Sequence, residues 1–148
     1  MIKYKEGNLL NILGEFDVVL HGCNIYHTMG AGIAEQFKKR YPQVYAADVD
    51  NTIYGDRSKI GTCSRARVGN TDILNCYTQF EFNIKRGHMN FDYDAFRSVL
   101  KLVKENYTGK RIGMPQLGAG LAGGKWTEIE KIIEEGLPNE DVTVILYK

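Results

Sequence analysis

Residues 16–34 read Phe16-Asp17-Val18-Val19-Leu20-His21-Gly22-Cys23-Asn24-Ile25-Tyr26-His27-Thr28-Met29-Gly30-Ala31-Gly32-Ile33-Ala34. Phe16 to His21 is a compact apolar run, the pattern of a strand buried on both faces in a parallel sheet. Met29 to Ala34 is a short glycine loop. Ile33 to Arg40 then reads as a helix with Ile33 and Phe37 on one face, broken by Pro42. Strand, glycine loop and helix in that order form the unit of an α/β layered fold with a largely parallel sheet.

The rest of the chain extends this pattern in both directions. Ile2 to Lys5 reads as a short strand ended by Gly7-Asn8, and Leu9 to Leu13 as a helical turn closed by Gly14. Gln43 to Asn51 is a second helix. Lys59 to Val68 and Thr71 to Thr78 read as strands joined by the turn signal Gly69-Asn70, so an antiparallel hairpin is expected and the sheet should be mixed. Gly87 to Phe91 is a loop. Asp92 to Tyr107 is the clearest helix: Phe96, Val99, Leu100 and Val103 recur at helical spacing, and Gly109 follows. Arg111 to Met114 is a strand ended by Pro115. Trp126 to Gly136 is a helix with Trp126, Ile129, Ile132 and Ile133 inward, and Val142 to Tyr147 is a last strand. No linker or low-complexity tract divides residues 1–148, so a single domain is expected.

Composition narrows the function classes. The chain has 148 residues, 43% of them hydrophobic and 25% charged, with a formal net charge of +1. That balance carries no footprint for nucleic acid or an anionic membrane. Arg57, Lys59, Arg65 and Arg67 cluster in sequence and read as a solvated face. Cys23, Cys63 and Cys76 form no CxxC pair, so free thiols and a reducing, cytoplasmic setting are expected. Nothing near Met1 resembles a signal peptide, and no apolar run is long enough to span a bilayer.

The glycine loop occurs twice. Leu117-Gly118-Ala119-Gly120-Leu121-Ala122 nearly repeats Met29-Gly30-Ala31-Gly32-Ile33-Ala34, and each follows a strand-like run. Either alone reads equally as a tight turn. Together they suggest backbone N–H groups closing on two phosphates, as in a diphosphate. Gly118, Gly120 and Gly123 match G-x-G-x-x-G, but too little chain follows for a doubly wound domain. Gly124-Lys125 approaches a P-loop, but Trp126 stands where Ser or Thr should ligate magnesium.

Candidate chemistry gathers around the first loop. Asn24 stands at a strand's carboxyl end, where α/β sheets place their ligands. His27, inside the loop, is a candidate ligand contact, acid, base or nucleophile. His21 reads either as a satisfied structural histidine or as a third member of that catalytic group. Cys23 reads as a small core residue, since no arginine follows it as a cysteine phosphatase requires. His21, His27 and His88 lack patterned carboxylate partners, so no metal is indicated, and no cofactor is expected.

These residues resemble the macro domain, an ADP-ribose-binding family, over nearly the whole chain. The pieces are Lys5-Glu6-Gly7-Asn8-Leu9-Leu10, Val18 to Ala34, and Met114-Pro115-Gln116 with Gly118 to Leu121 and Trp126. The chain is most similar to the branch that holds the yeast ADP-ribose 1''-phosphate phosphatase and the terminal ADP-ribose protein glycohydrolase. The resemblance implies a three-layer α/β/α fold around a mixed, mostly parallel sheet. It implies that Asn8 holds the adenine amino group, that Leu9 beside it is a ligand contact, and that Asn24 orients the distal ribose. Gly30, Ala31, Gly32 and Ile33 would take the distal phosphate and ribose. Gly118, Ala119, Gly120 and Leu121 would wrap the diphosphate from the other side, with Gln116 before them also a ligand contact. The glycohydrolase's lysine and aspartate correspond to about Gln79 and Ala122, which removes lysine-adduct chemistry. The implied partner is ADP-ribose or a derivative, and the implied activity is hydrolysis of ADP-ribose 1''-phosphate. The alternatives are a non-catalytic ADP-ribose reader and a hydrolase freeing ADP-ribose, or its acyl esters, from acidic side chains.

Overall fold

A computed structural model describes residues 2–80, 90–120 and 122–148. The quoted strand is β2, Val18–Cys23, buried at every residue except Gly22. It outruns the apolar run because its pairing continues as His21 with Asn75, Gly22 with Cys76 and Cys23 with Tyr77. The other strands are β1 (Ile2–Gly7), β3 (Cys63–Val68), β4 (Thr71–Tyr77), β5 (Arg111–Pro115) and β6 (Asp141–Tyr147). The helices are α1 (Gly32–Arg40), α2 (Pro42–Asn51), α3 (Tyr93–Asn106) and α4 (Trp126–Gly136), and short 3-10 turns cover Leu9–Asn11, Leu13–Glu15 and Arg57–Lys59.

The six strands form one sheet in the order β1-β6-β5-β2-β4-β3. All neighbours are parallel except β3 and β4, the hairpin expected around Gly69-Asn70. One face packs on α3 and α4, with Leu20, Phe96, Leu100, Met114 and Ile129 at its centre. The other packs on α1, α2 and the first 3-10 turns through Leu9, Val19, Phe37, Val44 and Tyr77. The three-layer mixed-sheet expectation is met.

Several boundaries differ from the sequence reading, two of them with consequences. Lys59 closes a 3-10 turn instead of opening β3, and its side chain is buried. The basic run is therefore not one solvated face. The Lys59 ammonium donates to Thr52 Oγ1 at 3.0 Å and lies 4.8 Å from the Tyr77 ring centroid. Arg65 and Arg67 pair with Asp72, and Arg57 stacks on Phe80. Pro115 belongs to β5, paired with Ile145, and does not end the strand before it. Most of the expected 87–91 loop, with His88, lies outside the described residues, as does Leu121.

The sheet opens where the chain reverses direction. After β2 the chain proceeds to β3 and β4 on one side, and after β5 to β6 on the other. Such a switch point leaves a crevice at the strands' carboxyl ends. Here β2 and β5 pair only at Val18 with Ile112 and Val19 with Gly113, so they part beyond Val19. The two glycine loops leave the sheet on either side of that gap.

Candidate functional site

A cleft of about 560 Å³ occupies the gap. Its walls include Gly30, Ala31, Gly32 and Ile33 from the first loop and Gln116, Gly118 and Gly120 from the second. A further cavity of about 270 Å³, lined by Asn8, Leu9, Gln36, Ile145 and Tyr147, shares Gly32, Ile33 and Pro115 with it. The two volumes are therefore neighbours with those three residues between them. Both sequence-matched loops flank the cleft, as expected.

The first loop is held open by Asn24. Its amide Nδ2 donates to the Thr28 carbonyl at 2.9 Å, and its Oδ1 accepts from the Tyr26 N–H at 2.9 Å. His27 adopts a left-handed backbone, with φ of 53°, and Gly32 follows with φ of 59°. α1 then starts at Gly32 with no side chain capping it. Its first N–H groups and the positive end of its dipole are left for an anion.

The second loop is built differently. Within it, Leu117 N–H donates to Pro115 O, Ala119 N–H to Gln116 O, Gly123 N–H to Gly120 O and Gly124 N–H to Gly118 O. Gly118 has φ of 81°, and the Phe91 ring sits where its Cβ would be, at 2.5 Å. Among the described residues, the N–H groups of Gly30, Gly118 and Gly120 have no hydrogen-bond partner. α4 does not start until Trp126, so the second loop offers loop amides and no helix terminus.

No described residue lining the cleft carries a charge. The lone titratable group among them, the Cys23 thiol, is buried and pushed up by desolvation. An anion in this cleft would meet backbone amides, which bind phosphate without a formal charge when they converge.

The candidate catalytic residues separate. Asn24 lines the cleft. His21 does not: it is fully buried on the α1 side, with Nε2 2.6 Å from Asn75 Oδ1 and its ring against Phe37. Asn75 Nδ2 already donates to Val44 O and Ser64 Oγ, so its Oδ1 must accept from His21 Nε2–H. Desolvation holds the imidazole down to about 4, so it is neutral. The catalytic reading of His21 is thereby replaced by the structural one. His27 turns away from the cleft walls: its Nε2 lies 2.8 Å from Thr52 Oγ1 and its ring meets Tyr54 edge-on. Thr52 Oγ1 donates to Asp48 O at 2.6 Å and so accepts from His27. His27 thus shapes the loop instead of reaching into it.

Most of the candidate binding residues line one of the two cavities. Asn8 and Leu9 line the smaller cavity, with Asn8 Oδ1 accepting from Leu10 N–H at 3.0 Å. Among the described candidates, Ala119 is the exception, since it packs on the α3/α4 core instead of lining the cleft, and Leu121 lies outside the described residues. Sequence reasoning did not assign Thr78, Pro115, Gln36 or Tyr147, and it met Gln79 only through the family resemblance. Thr78 and Gln79 follow β4, and their signal was the carboxyl end of a strand next to β2, which needs the strand order to read.

Comparison with known proteins agrees with this geometry. The chain is 31% identical to an uncharacterized 17.5 kDa protein of Enterobacteria phage T4, over 98% of this chain and 96% of that one. It is 26% identical to the DNA ADP-ribosyl glycohydrolase of Thermus aquaticus, over 100% of this chain but only 41% of that protein. The solved macrodomain of Thermus aquaticus DarG matches with a TM-score of 0.75 at 28% identity, covering 100% of this chain and 98% of that one. The ADP-ribose 1''-phosphate phosphatase of Saccharomyces cerevisiae is 23% identical, over 90% of this chain and 92% of that one. The macro domain profile matches residues 20–133, both glycine loops included, and the chain belongs to the macro domain family.

Proposed function

We propose that this protein binds ADP-ribose along the cleft and hydrolyses ADP-ribose 1''-phosphate to ADP-ribose and phosphate. The carrying observation is the pairing of two adjacent cavities. A small, largely apolar cavity at Asn8 shares Gly32, Ile33 and Pro115 with a cleft flanked by two amide-presenting glycine loops. A base would occupy the first, a diphosphate would sit between the loops, and the distal ribose would reach Asn24, Thr78 and Gln79. Relatives that process ADP-ribose support the class of ligand.

The substrate choice rests on what stands at the ribose end. Gln79 and Ala122 line the cleft where the resemblance to the glycohydrolase places a lysine and an aspartate. Neither can form an adduct with the anomeric carbon. A phosphate ester does not require one: water adds to phosphorus, the bond to the 1'' oxygen breaks, and that oxygen takes the proton. The amides of the first loop would stabilise charge on the transferring phosphoryl group, while Asn24 and Thr78 would orient the ribose. The yeast phosphatase aligns over most of both chains, which is consistent with this choice, and the ADP-ribose glycohydrolase of Bos taurus does so too, so the choice rests on Gln79 and Ala122.

The uncharged lining favours one second reading, a binder of ADP-ribose without turnover. Calorimetry with ADP-ribose and phosphate release from ADP-ribose 1''-phosphate separate the two. Binding with release is expected. Binding without release, with no turnover of acyl or glutamate-linked ADP-ribose, identifies the reader, and absence of binding removes both readings.

A further inference from the structure

On the far side of β4 from the cleft loops, two cysteines face each other. Cys63 on β3 and Cys76 on β4 are directly opposed in the antiparallel register, and their sulfurs lie 3.6 Å apart. The neighbouring pair, Thr62 and Tyr77, carries a ladder hydrogen bond from Tyr77 N–H to Thr62 O at 3.0 Å. By the alternation of an antiparallel ladder, Cys63 and Cys76 therefore occupy a non-hydrogen-bonded pair. There Cα atoms stand about 4.5 Å apart, inside the range a disulfide spans.

The two thiols differ in access. Cys76 is fully buried in the α3/α4 core, whereas Cys63 is half-buried and lines a surface cavity of about 420 Å³. That cavity is walled by Arg65, Asp72, Asn106 and Tyr107, so it is polar and open to a small hydrophilic reagent. Cys23, the third free cysteine, lies on the opposite face of the sheet, among the core residues of the α1/α2 side.

We infer that Cys63 and Cys76 form a dithiol–disulfide site that small-molecule disulfides oxidise. The Cys63 thiolate attacks one sulfur of the reagent RSSR and expels RS⁻, leaving a mixed disulfide on Cys63. Cys76 then gives up its proton and attacks the Cys63 sulfur, expelling a second RS⁻. The reagent gains two electrons and two protons overall and leaves as two RSH, and the protein loses two hydrogens. Burial pushes the Cys76 thiol up, which assigns the first attack to Cys63. The bridge would staple β3 to β4 next to the segment that delivers Thr78 and Gln79 to the cleft.

The test uses the full chain, reduced and then incubated with glutathione disulfide, followed by intact mass, thiol counting in denaturant and peptide mapping. The expected wild-type product is lighter by two hydrogens, keeps one free thiol at Cys23 and yields a linked Cys63–Cys76 peptide. Its melting temperature rises by several degrees and returns on reduction. Cys76→Ala should stop at a single glutathione adduct on Cys63, and Cys63→Ala should remain unmodified. Three persisting thiols, a wild-type protein that stops at the adduct, or a bridge involving Cys23 would each overturn the assignment.

Discussion

Gly118 and Gly120 look interchangeable in sequence, and their surroundings make them opposites. Gly118 has φ of 81° and no room for a Cβ beside Phe91, whereas a Cβ on Gly120 meets nothing within 4 Å. Left-handed strain of about 1–2 kcal/mol and overpacking of about 1–3 kcal/mol make Gly118→Ala destabilising by roughly 2–5 kcal/mol in urea unfolding. Gly120→Glu should melt like wild type. A carboxylate about 4–5 Å from a phosphate, at an effective dielectric near 20, still costs about 3–4 kcal/mol, so ADP-ribose affinity should fall ~100-fold or more. Unchanged affinity in that folded variant would remove the second loop from the ligand site. His21 gives a pH-dependent prediction. Its imidazole is held to about 4 when folded against an ordinary 6.5, because burial penalises the charged form. The unfolded chain therefore binds the extra proton between those values. Stability on this account is full above pH 6.5 and declines toward pH 4, by roughly 3 kcal/mol. Urea midpoints of wild type should fall faster over that window than those of His21→Gln, and parallel curves would refute the linkage.

At the scale of elements, the helices were legible because their signals are local. The α4 boundaries match the expectation to the residue, and α3 loses only the two residues at its ends. Asp92 is the physical reason at one end: its carboxylate accepts from Ala95 N–H at 3.0 Å, so it caps α3 instead of joining it. Asp92→Ala should cost about 1 kcal/mol, read as a lower melting temperature with ADP-ribose affinity preserved. A loss of affinity at full stability would mean that the cap also shapes the cleft. Strand ends were less legible, because pairing partners and not composition decide where a ladder stops. Lys59 looked like the start of a strand, yet the chain forms a 3-10 turn there and buries its ammonium beside Thr52 and Tyr77. Gly113 was read simply as part of a strand. In the fold it lets the Phe16 ring lie 2.7 Å from where a Cβ would stand, just where β2 and β5 are about to part.

For the whole molecule, one cleft on one sheet implies coupling between ligand and global stability. A ligand that binds only the folded chain, at 100 times its dissociation constant, adds about 2.7 kcal/mol. For a domain of this size that is a rise in melting temperature of roughly 5–10 °C with ADP-ribose, expected for wild type and lost in Gly120→Glu. No rise at saturating ADP-ribose would contradict the proposed site. Apolar periodicity and turn residues determined, without coordinates, the α/β class, the helices and the hairpin, and the doubled glycine loop suggested a diphosphate-like ligand. These are properties of neighbours along the chain. The tertiary structure alone decided that β2 and β5 separate beyond Val19 and that the cavity at Asn8 shares Gly32, Ile33 and Pro115 with the cleft. It alone decided that the second loop spends most of its amides on itself, and that His21 is sealed while His27 turns to Thr52. Each of these depends on which distant residue fills the space beside a group. Spacing along the chain carries no record of that.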